Sequence, residues 1–440
     1  MKRESGNRLE RRLGLPGATL MGLGSMIGTG VFVSIGIAAG VAGAAVIPAI
    51  VVAALVATCN ALSSAQLAAS HAVSGGTYEY GYQYLTPRLG FAAGWMFLCA
   101  KSASAATAAL GFAGYLLSLV GGDLRLMPWL AVGATAVFTL LVLGGIKRSS
   151  RMNTFIVSVT LLALSAFIAA GLVFLSGQAA ASFPPLGAAV TGGWSQMAYA
   201  TALMFVAFTG YARIATLGEE VREPRTVIPR AIILTLAVTG LLYVLVALVV
   251  VGAIGSERLA SLPAAEATPL ELAARVMNLS IVPEIVALGA VTAMLGVLLN
   301  LILGLSRVVL AMGRRRDLPP LFGRVSRDGS APAPAVVAVG ILIALLASLG
   351  SVETSWAFSA FTVLVYYAIT NLAALRLPRG KRLYPAWISA AGLVACLFLA
   401  FWVPAAIWVA GIGLLAAGFV WQWLASRLWS RDRAPADEAS

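Results

Sequence analysis

The chain has 440 residues, 60% of them hydrophobic and only 11% charged, with a mean hydropathy of +0.92. Soluble domains carry roughly a quarter charged residues, so a water-solvated globular fold is excluded. A net charge of +13 raises nucleic acid as a partner, but the placement of the basic residues makes that reading unnecessary.

A hydrocarbon slab about 30 Å thick needs about 20 apolar residues per helix. After a tail at 1–15, the spacing of apolar runs predicts spans at 16–40, 46–70, 90–119, 128–146, 153–175 and 197–218. Six more follow at 230–253, 282–311, 334–350, 356–375, 385–403 and 405–425, then a tail at 426–440. The apolar stretch from Pro16 to Gly40 is longer than a signal-peptide core and reads as a retained first span. The segment from Gly255 to Pro283 is the longest loop and is expected to hold a short surface helix.

Counted from a cytoplasmic N-terminus, 25 of the 30 Lys and Arg fall on one side, three (Arg125, Arg258, Arg275) on the other, and two inside spans. This positive-inside bias predicts a multi-pass protein of the cell inner (cytoplasmic) membrane with both termini in the cytoplasm. Cys59, Cys99 and Cys396 lie within spans, an odd number without ligand spacing, so neither a disulfide nor a metal site is expected. There is no nucleophile with a base, no histidine cluster and no phosphate loop; an enzyme is not indicated, and no catalytic residue or cofactor is assigned.

Two spans carry unusual punctuation. The first contains Gly22-Leu-Gly-Ser-Met-Ile-Gly-Thr-Gly30 and the sixth Phe208-Thr-Gly-Tyr-Ala-Arg213. They are five spans apart, the spacing expected of two five-span inverted repeats with one broken helix in each. Backbone groups freed within hydrocarbon cost several kcal/mol each unless satisfied, so two breaks imply an internal polar cavity. Glycines that merely allow close helix packing are the competing reading.

Gly24-Ser-Met-Ile-Gly-Thr-Gly-Val-Phe32 resembles the broken first helix of the amino acid, polyamine and organocation permeases. Ser74-Gly-Gly-Thr-Tyr78, Gly90-Phe-Ala-Ala-Gly-Trp95, and Ser306-Arg307 with Leu318-Pro319-Pro320 match further family positions in order. Phe208 to Glu220, continuing to Pro224 and Ile228-Pro229, is the most specific match and resembles members of the cationic-amino-acid-transporter type. The resemblance implies an all-α integral membrane fold: a first repeat over 16–175, an inverted second over 197–375 and two accessory spans at 385–425. It also implies proton- or sodium-coupled uptake, or exchange, of amino acids, and a bilayer as surroundings. Nothing in the sequence sets an oligomeric state.

A zwitterionic amino acid needs donors for its carboxylate and acceptors for its ammonium, and a broken helix supplies both. The expected donors are the amides of Thr29, Gly30 and Val31; the expected acceptors are carbonyls of Ser25, Met26, Val206, Ala207 and Thr209, alongside Gly210. These positions are carried over from the family motif. Phe208 lies inside the break and could close over a substrate.

Lys101 in span 3 and Arg213 in span 6 are the two charges well inside spans. An intramembrane charge is a functional hypothesis by default. Three readings compete for Lys101: a proton-coupling amine, a fixed positive charge facing substrate, or a structural lysine bonded to helix-end groups. Arg213 stands near the end of its span, where it could gate, reach lipid headgroups or pair with Glu219. Some relatives place a lysine in span 5 where an alkali cation would otherwise bind; the matching position is Thr160, which leaves the coupling ion, H+ or Na+, open. Ala212 stands where cation-handling relatives often carry an acid, and with Lys101 this argues for a neutral substrate. Asn300, Tyr366, Tyr367 and Asn371 read as interhelical hydrogen-bonders, and His71 as a loop residue. A polyamine, amine or acidic amino acid permease is the alternative, and a channel or receptor the rival class.

Overall fold

The computed structural model describes residues 13–73, 75–177, 193–216, 220–255, 258, 269–278, 281–326, 331–349 and 352–429. Ser74, Glu219 and most of both expected tails lie outside them. Every expected span is a helix. Span 1 is Leu15–Met26 and Ile35–Ala42 joined through a π-helical turn at Gly30–Ser34, and spans 2 to 5 are Val46–Ser70, Pro87–Val120, Met127–Leu143 and Ile146–Ser176. Span 6 is Trp194–Phe208 and Ala212–Thr216 around a 3-10 turn at Thr209–Tyr211, and span 7 is Pro224–Ile254. Spans 8 to 12 are Val282–Arg314, Ala333–Leu349, Val352–Leu375, Ala386–Ala400 and Ala405–Leu428. Ten are long and apolar enough to cross a membrane; spans 9 and 11 are shorter apolar helices of 17 and 15 residues. The expected surface helix in the long loop is Pro269–Val276, closed by an Arg275–Glu271 ion pair at 2.7 Å.

Local chemistry sets the ends. Thr86 accepts from the Leu89 amide at 3.3 Å, Pro87 occupies the first turn, and Gly121 at φ +63° closes the helix in the left-handed conformation that glycine tolerates. Span 3 therefore begins three residues earlier than expected. Pro224 opens span 7, where a missing amide removes nothing, whereas Pro229 lies inside the helix and removes one bond to the preceding turn.

The outward faces of the spans are apolar, and polar groups are buried within an interior that is itself mostly apolar. Leu162 is 72% exposed, whereas Arg307 is fully buried. Hydrocarbon solvates the outer leucines, so the polar side chains must pair inside. Asn371 donates to Asn60 between spans 10 and 2, and Ser63 and Ser389 (spans 2 and 11) share a hydrogen bond at 2.8 Å. Ser104 and Ser359 join spans 3 and 10 at 2.7 Å. The expected interhelical roles of Asn371 and, through Asn153, of Asn300 are observed.

The basic loops meet at one end of the bundle. Glu79 of the short helix Thr77–Tyr84 pairs with Arg315 beyond span 8, and the Tyr78 and Tyr82 hydroxyls each donate to Asp317 at 2.6 Å. The Leu13 amide donates to the Glu220 carbonyl at 3.0 Å, and the Arg222 amide to the Leu13 carbonyl at 2.8 Å. That short bridge ties the entry of span 1 to the exit of span 6. Arg307 of span 8 closes the layer with bonds of 2.7 and 3.3 Å to the two oxygens of the Glu220 carboxylate, and both side chains are buried. Arg307 is thus a third charge within a span, masked in the sequence by its nearness to the helix end.

Removing one partner of a buried ion pair leaves an uncompensated charge and costs about 3–5 kcal/mol. Arg307→Leu or Glu220→Leu alone is expected to lower the thermal unfolding midpoint in detergent sharply, and the double variant to recover most of the loss. A double variant no better than the sum of its parts would show that the pair is not the source.

Candidate functional site

The break in span 1 is local. Ile27, the last capped residue of the first half, turns to extended backbone at φ −81°, ψ 93°, and its amide still donates to Leu23. The amides of Val31 and Phe32 then both donate to the Gly28 carbonyl at 3.0 Å, opening the second half. This corrects one expectation: the Val31 amide is used within the turn. Gly28, Thr29 and Gly30 precede those first bonds, at the positive end of a helix whose opening amides have no intrahelical acceptor. Thr29 is buried.

Span 6 is interrupted more gently, by one tight turn. The Thr209 hydroxyl donates to the Val206 carbonyl at 2.6 Å, and the Tyr367 hydroxyl of span 10 donates to the Thr209 carbonyl at 3.2 Å. The two breaks touch backbone to backbone. A Cβ on Gly210 would lie 2.6 Å from the Ser25 carbonyl carbon and oxygen, and also against Met26, so only glycine fits. Ser25 turns its own hydroxyl back to Met21 at 2.8 Å.

Tyr243 of span 7 joins them further. Its hydroxyl donates to the Met26 carbonyl and lies 3.2 Å from the Ala207 carbonyl, bridging the ends of both first half-helices. A Cβ on Gly30 would collide with that hydroxyl and approach Ala207 within 2.8 Å. Phe208 packs its ring 4.9 Å from the Tyr243 ring, on the span 7 side. Of the five carbonyls expected to receive an ammonium, those of Met26, Val206 and Thr209 thus accept from hydroxyls of the chain itself, and that of Ala207 shares the Tyr243 hydroxyl with Met26. The sequence pointed to no role for Tyr243, although a lone tyrosine in Leu-Leu-Tyr-Val-Leu-Val-Ala-Leu-Val-Val-Val was a visible signal.

Lys101 reaches this junction. Its span begins at Pro87, which puts it about 21 Å along the axis at 1.5 Å per residue. It is 4% exposed, and its ammonium donates to the Thr209 hydroxyl at 2.5 Å. Lysine, threonine and the Val206 carbonyl form one continuous relay. Among the described residues, no Asp or Glu lies deep within a span: Glu284 and Glu353 stand in first turns and Glu220 beyond the end of span 6.

Other expected residues are placed elsewhere. Thr160 gives its hydroxyl to the Ile156 carbonyl at 2.9 Å and faces Thr292 at 3.4 Å, on the seam between spans 5 and 8. Arg213 is buried, so the headgroup reading of it is corrected; its field is shared with Arg307 and Glu220. His71 lies edge-on to Tyr80 and Tyr84, and burial holds its imidazole below the ordinary range against the opposing pull of Glu79. Asn153, not singled out by the sequence, donates to the Leu20 carbonyl at 2.8 Å and accepts from Asn300, holding the first half of span 1. A Cβ on Gly24 would strike both asparagines.

Overpacking a close backbone contact costs roughly 1–3 kcal/mol or more. Gly210→Ala is expected to reduce transport by about tenfold or more while leaving membrane insertion intact. Wild-type uptake by that variant in proteoliposomes would show that the two breaks need not touch.

Comparison with known proteins identifies the family. A model of the amino acid permease family matches residues 17–431. An uncharacterized transporter of Mycobacterium tuberculosis is 41% identical over 91% of this chain and 88% of its own length. The branched-chain amino acid permease of Bacillus subtilis is 29% identical over 78% of this chain and 75% of its own, and the vacuolar cationic amino acid transporter 4 of Arabidopsis thaliana 26% over 83% and 64%. Because the family match runs through both interrupted spans and everything packed between them, the chain belongs to the amino acid permease family, whose members are transporters and not enzymes.

Proposed function

We propose that this amino acid permease carries neutral amino acids by alternating access, binding them where spans 1 and 6 break. Lys101 carries the reading: a buried cation stands 2.5 Å from the Thr209 hydroxyl, and no described carboxylate lies within reach to receive a cationic side chain. A lysine or arginine substrate would bring a second positive charge into low dielectric. The similarity to a branched-chain amino acid permease points the same way.

In this reading the amides of Thr29 and Gly30, at the head of the second half of span 1, take the substrate carboxylate, with Gly28 supplying the close approach. The carbonyls of Met26 and Ala207 take the ammonium in exchange for the Tyr243 hydroxyl, which holds them in the closed arrangement. Ser25, Val206, Phe208 and Gly210 shape the site. Spans 1–5 and 6–10 act as the two repeats, with 11 and 12 accessory.

The buried pair Arg307–Glu220 and the Leu13–Val221 bridge close one end. That end carries the basic loops, so it faces the cytoplasm by the positive-inside rule, with both termini there and the chain in the inner membrane. Arg213 acts as a gating residue in this layer. Thr160 occupies the seam where a coupling cation binds in relatives of this fold. Lys101 is the proposed proton carrier, which makes H+ the coupling ion ahead of Na+.

Uptake of a radiolabelled amino acid panel into proteoliposomes, under separate proton and sodium gradients, tests the reading. Neutral aliphatic substrates are expected to accumulate and to show trans-stimulation in counterflow. Preferred uptake of arginine or lysine would overturn the substrate class. Lys101→Ala is expected to abolish the dependence of uptake on a pH gradient, and an unchanged dependence would remove the lysine from coupling.

A further inference from the structure

Away from the broken spans, a basin of about 1540 Å³ opens between the start of span 3, the end of span 8 and the end of span 12. Four arginines line it, Arg88 and Arg314 to Arg316, against one carboxylate, Asp317, which is already engaged by the Tyr78 and Tyr82 hydroxyls. Arg315 is shared with Glu79 and stacks 4.4 Å over the Tyr82 ring. Arg316, in a left-handed conformation at φ +65°, ends the span 8 helix and donates to the Trp429 carbonyl at 3.4 Å. The cationic excess is therefore held in place by the helix end. The far wall is apolar and outward-facing, with Phe419 38% and Trp423 51% exposed.

The same helix pair carries a second opening farther along. An apolar crevice of about 640 Å³ lies on the other side of Trp95, walled by spans 3 and 12 (Leu98, Ile407, Leu414) and equally by spans 9 and 10 (Leu342, Leu346, Phe358). Trp95 stands between the two, packed on Gly418 and donating to the Leu414 carbonyl at 2.9 Å. Leu89 to Trp95 on span 3 and Phe419 to Leu414 on span 12 are each about two helical turns or less, roughly 7–9 Å. A cationic basin at the ends of three spans, with an apolar face on span 12 and an apolar crevice beyond Trp95, has the polarity profile of an anionic phospholipid.

We infer that this is a binding site for an anionic phospholipid, its phosphate among Arg88, Arg314 and Arg316 and an acyl chain along the Phe419–Trp423 face into the crevice. Basic residues at a membrane surface attract anionic headgroups, and arginine suits phosphate by its forked donors. The apolar wall favours a lipid over a free anion. The inference does not depend on the substrate proposed above, since it is read out as binding.

The test titrates the purified full-length protein in detergent with phosphatidylglycerol, phosphatidylcholine or inorganic phosphate. It follows the thermal unfolding midpoint, and the lipid retained in native mass spectrometry. Phosphatidylglycerol is expected to raise the midpoint and be retained, whereas phosphatidylcholine does neither and phosphate does not displace it. The double variant Arg88→Gln/Arg316→Gln is expected to weaken phosphatidylglycerol binding by on the order of tenfold, and Arg88→Lys/Arg316→Lys to stay within about threefold of wild type. Phe419→Ala/Trp423→Ala, which leaves every arginine in place, should also weaken it and serves if the glutamine pair does not run as a monodisperse peak. Undiminished binding by the glutamine or alanine pair, equal binding of phosphatidylcholine, or displacement by phosphate would each overturn the lipid site.

Discussion

A peptide group inside hydrocarbon must find a partner within the protein, and this constraint organises the molecule around two points. A continuous helix satisfies its own backbone, but spans 1 and 6 do not remain continuous, and the carbonyls they release are buried. Hydroxyls meet them: Tyr243 of span 7 donates to Met26 and stands 3.2 Å from Ala207, Tyr367 of span 10 donates to Thr209, and Thr209 of span 6 itself turns back to Val206. The breaks are therefore where spans 1, 6, 7 and 10 converge. In the proposed binding mode these hydroxyls give way to a substrate ammonium at modest cost, because a hydrogen bond is replaced and not lost. A site made of main-chain groups reads the part common to all amino acids.

Charge is handled by the same rule at two depths. Lys101 lies midway along span 3 and ends on a neutral hydroxyl, with no described carboxylate deep within a span. Arg307 and Glu220 lie at the basic end and compensate each other. In the proposed function the first arrangement biases what can bind; the second joins the end of span 6 to span 8. The Leu13–Val221 bridge adds span 1 to the same closure, so the two half-helices nearest the basic end are tied to each other as well as to the break.

The span pattern was legible because hydrophobic transfer depends on composition over a window and little on neighbours: runs such as Leu-Leu-Tyr-Val-Leu-Val-Ala-Leu-Val-Val-Val indicate a span in any packing. The breaks were legible because Gly24, Gly28, Gly30 and Gly210 depart from what an uninterrupted helix favours. Boundaries shifted where a cap decided them, as at Thr86 and Pro87. The burial of Arg307 was not legible, because nearness to a helix end in the sequence says nothing about whether a neighbouring helix covers it.

The sequence by itself determined the membrane class, the number and positions of the spans, the two interruptions and the buried lysine, since each is a property of a local stretch. Only the tertiary structure decided what those stretches meet. Tyr243 bridging two helix ends, Lys101 reaching Thr209 and Glu220 closing on Arg307 join residues from 36 to 217 positions apart. Their partnership depends on helix rotation and crossing, which are set by side-chain packing across the whole bundle and leave no trace in any one segment.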